Sequence, residues 1–271
     1  MSLTQEALSK IRDRLENRDG RTDEQVMDSI LRLSNTWRSM VLSNTLASLD
    51  GLKVQHGPFA GMTYLRRASE GALMPRLIGA YESELHPHIL AFAQEGLTDI
   101  VDVGCAEGYY AVGLARLMPD VTVHAFYIDE HARKGCAALA ELNGVADRVK
   151  IGEAFAGEDF ARFEPGRTLV FMDIEGEERN LLDPERFPAL KGLSVIVETH
   201  SIPTYDVTAK LIGRFLPTHD IIRVDQGPKT TPLPAWLRRL GHLDQLLAVW
   251  EWRLRPTPWL VMRPKAQAAE A

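Results

Sequence analysis

Two hydrophobic rhythms divide the chain. Before residue 98, apolar positions recur at helical steps. Val26, Ile30, Leu33, Trp37, Met40 and Val41 fall on one face of a helix predicted over Thr22–Leu46, with a second helix predicted over Gln5–Leu15. Leu52–Leu65 (LKVQHGPFAGMTYL) alternates weakly and carries Gly57-Pro58 and Gly61, which reads as a hairpin or β-arm. Ala72–Gln94 reads as helical, broken near Pro87.

After Thr98, short apolar runs alternate with amphipathic stretches. Strands are predicted at Asp99–Val103, Thr122–Tyr127, Val149–Gly152, Thr168–Asp173, Ser194–Thr199, Ile221–Asp225 and Trp259–Met262. Helices are predicted at Tyr109–Met118, at His131–Asn143 with Gly144 closing it, from Asp173 through Leu182, and at Asp206–Phe215. This alternation implies an α/β fold with a doubly wound, mostly parallel sheet. Right-handed crossovers then bring the parallel strands' C-terminal ends to one edge, where ligands bind. The expected organisation is a helical N-terminal arm or cap at 1–96, a core at 97–265 with an insertion at 226–256, and a frayed tail at 266–271.

Composition narrows the class. A chain of 271 residues that is 45% hydrophobic fits one large domain with a cap rather than a disordered chain. The net charge of −6 argues against a general electrostatic hold on nucleic acid or anionic lipid. Two cysteines, Cys105 and Cys136, make no disulfide framework, and Met1–Arg12 lacks the apolar centre of a signal peptide. No apolar run reaches membrane-spanning length. A cytoplasmic location and no membrane partner are the expectation.

The first core strand ends in VDVGCAEGYYAVGLA. Gly104 can take backbone angles closed to other residues, and Gly108 lets a helix start approach a ligand with free amides. The pattern is DxGxAxG rather than GxGxxG. Asp102 would repel a pyrophosphate but suits a cationic or amino-acid ligand. A glycine turn that merely packs strand on helix is the plainer alternative.

DVGCAEG resembles motif I of the class I S-adenosylmethionine-dependent methyltransferases. The stretch FMDIEGEERNLLDPERFPALKGLSVIVETH is similar to the FkbM-like methyltransferase family, with Asp173, Glu175, Gly176, Glu178, Val197 and Glu198 matching its D-x-E-G-x-E and V-E elements. Upstream, GPFAGMTY and GAYESEL look like the family's N-terminal arm, and TPWLVMRP like its last strand. The resemblance implies a Rossmann-like, seven-stranded fold, S-adenosylmethionine as cofactor, and O-methylation of a small-molecule hydroxyl on a sugar or secondary metabolite. It assigns Asp102, Gly104, Cys105, Ala106 and Gly108 to the methionine part of the cofactor.

The sequence departs from the pattern at the ribose. Tyr127 stands where the family's acid falls, with Asp129 two residues later. Either can reach the ribose, or Asp129 simply caps the helix beginning near Glu130. Glu153 and Ala154 fall where the adenine edge would lie, unless they form an exposed loop. Glu82 can approach the cofactor from the arm, or lie with Glu84 on a solvated helix face.

Methyl transfer needs alignment, exclusion of water and a base for a hydroxyl nucleophile. His200 is the expected base, oriented by Glu198 or Asp173; the alternative is a loop histidine capping the turn at Pro203. Asp173, Glu175, Glu198 and His200 can also converge on a divalent metal, Mg²⁺ or Mn²⁺, although acids at a helix start are favoured by its dipole anyway. The insertion carries Trp236, Trp250 and Trp252 with Arg238, Arg239, His242, Arg253 and Arg255, which suits a lid over a polar or sugar-like acceptor, a homodimer element, or plain core packing. Two rival readings remain: a NAD(P)-dependent oxidoreductase, which would need Gly at Ala106 and an acid at Tyr127, and an inactive partner subunit that keeps the fold. Methylation of a peptide side chain also stays open.

Overall fold

The computed structural model describes residues 1–202 and 204–266; Pro203 and residues 267–271, part of the expected tail, lie outside them. Two antiparallel helices open the chain, α1 (Leu3–Glu16) and α2 (Asp23–Leu49). Each starts with a reciprocal capping box, Ser2 with Gln5 and Thr22 with Gln25, which satisfies amides that the first turn leaves free. The expected apolar face of α2 is only partly the buried one. Val26 is buried, but Met40 is exposed, and Ser39, Leu42, Ser43 and Leu46 form the buried stripe of the C-terminal half. That half packs on α3 (Leu73–Ile78) and on a helix of the insertion.

The expected hairpin at Leu52–Leu65 forms one bridge, Lys53 to Thr63, and no strand. The expected break near Pro87 lies earlier. α3 ends at Gly79, whose φ of +76° and contact with the His56 carbonyl exclude a side chain. Glu82 also turns left-handed before a 3-10 turn at Ser83–Leu85. Pro87 sits in the first turn of α4 (His86–Phe92), where a missing N–H leaves no orphan.

The core strands are β1 (Asp99–Val103), β2 (Thr122–Phe126), β3 (Val149–Gly152), β4 (Thr168–Met172), β5 (Ser194–Glu198), β6 (His219–Val224) and β7 (Trp259–Pro264). They make one sheet in the order β3-β2-β1-β4-β5-β7-β6, with β7 antiparallel to its neighbours and the rest parallel. This is the doubly wound, Rossmann-like α/β sheet expected from the sequence. The connecting helices are α5 (Tyr109–Leu117), α6 (Glu130–Leu142), α7 (Glu178–Leu181) and α8 (Val207–Phe215). α7 begins later than expected because Glu175 and Gly176 turn through positive φ first. The insertion holds α9 (His242–Val249), which packs on α2 and α3.

Strand parity splits the core in two. Ile100, Phe171, Ile196 and Trp259 face the side covered by α2, α5, α6 and α9; Val101, Val170, Val195 and Leu260 face the side covered by α8. Continuing the first row by two residues per strand brings Asp102, Asp173 and Glu198 to the covered face at the sheet's C-terminal edge. The cap and the insertion therefore meet over three acids.

The cap's attachment can be tested at Leu46, which is fully buried in the first core. Leu46→Ala is expected to destabilise the protein by about 2–5 kcal/mol in urea unfolding, through lost burial and the cavity left behind. An unchanged midpoint would mean that α2 is not docked as described.

Candidate active site

A cleft of about 810 Å³ opens where β1, β4 and β5 end, roofed by the cap and by residues 251–257 of the insertion. Its floor is the turn from β1 into α5. Gly104 (φ +98°) brings that turn against β4: a Cβ there would lie 1.7 Å from the Asp173 carbonyl oxygen. Gly108 (φ +95°) packs on Cys136, whose sulfur would lie 2.7 Å from an added Cβ. Between them Ala106 holds φ +45°, a conformation costing a non-glycine residue roughly 1–2 kcal/mol. The glycines thus serve close backbone packing, and a bulky residue at Gly104 would disturb the fold itself rather than only block a ligand.

Asp102 is buried on the cleft wall, and its Oδ2 has no hydrogen-bond partner. Burial pushes its carboxyl up to about 7, with the Ala111 amide at the start of α5 pulling the other way.

His200 follows β5 and is surrounded by acids. Its amide donates to Glu178 Oε1 at 2.7 Å, and its Nδ1 lies 3.3 Å from the same oxygen. Its Nε2 lies 3.7 Å from Asp173 Oδ1, 3.6 Å from Glu175 Oε2 and 3.6 Å from Glu198 Oε2. Burial alone would lower the imidazole, but the Glu178 hydrogen bond and the charges of Glu198, Glu178 and Glu175 outweigh it and raise it. Burial would likewise raise Glu178, and its hydrogen bonds with His200 hold it below the usual carboxylate range. Desolvation and then Glu198 push Asp173 well up. One oxygen or nitrogen each from Asp173, Glu175 and His200 lies within 4.8 Å of the others, a spacing that fits a shared divalent cation.

The cleft's back wall is an ion network. Arg253 donates to Glu198, to Glu82 and to Thr257 (2.6 Å), and its Nε bonds Glu251 at 2.8 Å. Lys229 pairs with Glu84 at 2.5 Å and Glu251 at 2.6 Å. The Glu82 amide donates to Glu251 at 2.8 Å, and its carboxylate also accepts from the Tyr110 hydroxyl. Glu82 is fully buried and does not line the cleft; instead of reaching a cofactor it anchors Arg253.

The other expected binding residues divide. Gly104, Cys105 and Ala106 line the cleft with Asp102; Gly108 does not. The Cys136 thiol and burial push the Cys105 thiol up, away from reactivity. Asp129 caps α6, accepting the Ala132 amide at 2.8 Å, and does not line the cleft. Glu153 and Ala154 are exposed and outside the cleft. Tyr127 donates its hydroxyl to Glu70, a cleft-lining acid of the cap. Of the tryptophans, Trp259 is core and Trp252 lines the cleft.

The sequence marks Trp252 only as one of the insertion's tryptophans and assigns no role to Glu70, Glu107 and Arg76. Glu107 accepts the Tyr64 hydroxyl and the Ser69 amide (3.0 Å), while Arg76 donates to the Glu70 carbonyl at 2.6 Å. Together they hold the Glu70 loop against the β1 turn. A charged residue beside the glycine motif was the only sequence signal for Glu107; Glu70 and Arg76 carried none.

No protein-family model matches the chain. No curated protein sequence matches it. Solved structures of similar fold include the O-methyltransferase TomG from Streptomyces achromogenes, involved in tomaymycin synthesis and bound to S-adenosylmethionine, at 15% identity over 67% of this chain and 81% of that one, with a TM-score of 0.44. Another is an O-methyltransferase from Bacillus cereus in complex with S-adenosylhomocysteine, at 13% identity over 84% and 90%, TM-score 0.45. A third is a precorrin-6y C5,15-methyltransferase from Geobacter metallireducens, at 13% identity over 67% and 89%, TM-score 0.42. Among the described residues, no helix is long and apolar enough to cross a membrane.

Arg253 is the network's hub, so Arg253→Met should leave Glu82, Glu198 and Glu251 without their shared counter-ion and destabilise by about 3–5 kcal/mol. Adding Glu82→Gln should recover part of that loss in denaturant unfolding. A double variant no more stable than the single one would show that the pairing carries little energy.

Proposed function

We propose that this chain transfers the methyl group of S-adenosylmethionine to a hydroxyl of a small molecule, a sugar or a secondary metabolite. The observation that carries the reading is the buried, unpartnered Asp102 Oδ2 beside the Gly104–Ala106 turn, at the ends of β1 and β4 where the sheet order reverses. An acid there suits the ammonium of an amino-acid ligand and disfavours the pyrophosphate of a nicotinamide cofactor. In this reading Asp102 and the turn's backbone hold the methionine part. The ribose would then meet Glu70, held by the Tyr127 hydroxyl, in place of the usual strand-end acid. The FkbM-like elements Asp173, Glu175, Gly176, Glu178, Val197 and Glu198 point to that subfamily.

Bound S-adenosylmethionine supplies an electrophilic methyl group whose leaving group is a neutral thioether. The chain's own residues must align the hydroxyl and take its proton. In this reading His200 in its neutral form would take the proton at Nε2, with Glu178 holding the ring through Nδ1. Asp173 and Glu198 orient the hydroxyl. A second reading rests on the close Asp173, Glu175 and His200 donors: the trio would hold Mg²⁺ or Mn²⁺, which would bind and acidify the hydroxyl.

Titration calorimetry with S-adenosylmethionine and S-adenosylhomocysteine tests the cofactor. Binding is expected, and Asp102→Asn should weaken it about tenfold or more, the size of a lost hydrogen bond to a charge. The buried Asp102 carboxyl titrates near 7 and only its ionised form pairs with an ammonium. Affinity should therefore rise with pH up to about 7 and level off above it. No heat with either ligand would remove the proposal and favour the inactive-subunit reading.

In methyl transfer to a panel of hydroxylated acceptors, His200→Ala should slow turnover by about 10²–10⁴ while leaving cofactor affinity unchanged. Turnover that survives EDTA would support the base alone. Loss with EDTA and recovery with Mg²⁺ would support the metal.

A further inference from the structure

A charge taken out of water ordinarily finds a counter-charge, and one left without it is costly. Arg76, on α3, is 5% exposed and lines the active-site cleft, and among the described residues it makes no ion pair. Arg253, in the same cleft, pairs with Glu82, Glu198 and Glu251. Glu107 attracts Arg76 only from beyond pairing distance, its two oxygens being taken by the Tyr64 hydroxyl and the Ser69 amide. A buried, unpaired arginine on a cleft wall marks where an anionic ligand group completes the charge balance.

The guanidinium is held on one face and one edge. Tyr81 covers the face, its ring centroid 4.1 Å from Cζ. Nη1 donates to the carbonyls of Glu70 at 2.6 Å and Ala72 at 3.2 Å. The other edge, Nε with Nη2, donates to nothing among the described residues. Nε is enclosed, but Nη2 is not, and Gly71 beside it has no side chain to cover it: a Cβ there would lie 3.7 Å from Nη2. That edge is the fork with which an arginine grips a carboxylate. Arg38 uses the same two atoms to hold both oxygens of Asp244, at 2.6 and 2.7 Å.

Position selects the ligand group. Cζ of Arg76 lies 5.8 Å from the ring centroid of Tyr109, the first residue of α5 after the Gly104–Gly108 turn. Glu70, whose carbonyl Nη1 holds, also accepts from Tyr127 just beyond β2. Arg76 thus stands beside the turn from β1 into α5, whereas His200 follows β5. We infer that Arg76 binds the α-carboxylate of the cofactor's methionine part, leaving the ammonium to Asp102. The assignment rests on the methyltransferase reading and adds a selectivity that Asp102 alone cannot give. An acid by itself accepts any amine. An acid and an unpaired arginine together select an α-amino acid, whose two charges sit on one carbon, over an adenosyl amine that lacks the carboxylate.

The test titrates the full chain by calorimetry with S-adenosylhomocysteine and with its decarboxylated form, the aminopropyl thioether of adenosine, which keeps the ammonium and lacks the carboxylate. The wild-type chain should bind S-adenosylhomocysteine about tenfold or more tighter, the size of a hydrogen bond between charged groups. Arg76→Gln should weaken S-adenosylhomocysteine by about the same factor and leave the decarboxylated form within about twofold of its wild-type affinity, so that the preference vanishes. Arg76→Lys keeps the charge without the fork and should retain part of the preference. Equal affinity of the wild-type chain for the two ligands would overturn the inference, however the variants fold. So would S-adenosylhomocysteine affinity unchanged in Arg76→Gln, or an equal loss for both ligands, since that marks a merely structural role in holding the Glu70 loop. A wild-type chain that binds neither ligand would instead sink the methyltransferase reading, and this inference with it.

Discussion

Buried negative charge at the C-terminal edge of the sheet is the constraint on which the site depends. Asp102, Asp173 and Glu198 emerge on one face, and Glu82, Glu84 and Glu251 close over them from the cap and the insertion. A carboxylate taken out of water needs a counter-charge or a proton. Arg253 and Lys229 are the cations that the chain provides at this wall, and both come from the insertion. One guanidinium therefore joins three segments far apart in sequence: the cap through Glu82, the core through Glu198 and the insertion through Glu251. Such a network adds little net stability compared with apolar packing of the same volume. Its effect is positional, because this docking of cap on core brings those acids to one guanidinium.

The compensation stops short of neutrality. Among the described residues Asp102 makes no ion pair, and desolvation moves it toward its neutral form. Asp173, beside Glu198 and Glu175, is driven the same way. Four carboxylates approach the His200 ring, and the Glu178 hydrogen bond with the charges of Glu198, Glu178 and Glu175 outweighs burial there and eases protonation of the imidazole. On the proposed reading, a ligand carrying an ammonium and a sulfonium supplies the charge that the polypeptide leaves out at Asp102.

What could be read from the sequence follows from how far apart the interacting residues lie. Strands with their own apolar run, such as Asp99–Val103 and Val149–Gly152, declare themselves by composition alone. The side on which a strand-end acid emerges was also implicit. Ile100 and Asp102 share parity, as do Phe171 and Asp173, and Ile196 and Glu198. The roles of Glu82 and Asp129 turn on different physics. Asp129 is claimed by a local amide three residues ahead, a contact that the adjacent sequence encodes. Glu82 is claimed by Arg253, 171 residues away, and no periodicity encodes such a pair. The break at Gly79 rather than Pro87 has a similar cause: the deciding contact is the His56 carbonyl across the arm, while a proline in a first helical turn does no harm.

Backbone strain is distributed as unevenly as charge. Among the described residues five non-glycine positions hold positive φ: Asp19, Glu82, Ala106, Glu175 and Trp252. Asp19 lies in the turn between α1 and α2, where a short polar residue tolerates that conformation. The other four are at the cleft: Ala106, Glu175 and Trp252 line it, and Glu82 holds its arginine. Each costs stability that a relaxed loop would not, and each is pinned by neighbours that cannot yield. Ala106 lies between two packed glycines, Glu175 between β4 and the Gly176–Glu178 turn, and Trp252 between two anchored ion pairs. Strain held in this way fixes groups before any ligand arrives, so that little ordering remains to be done on binding.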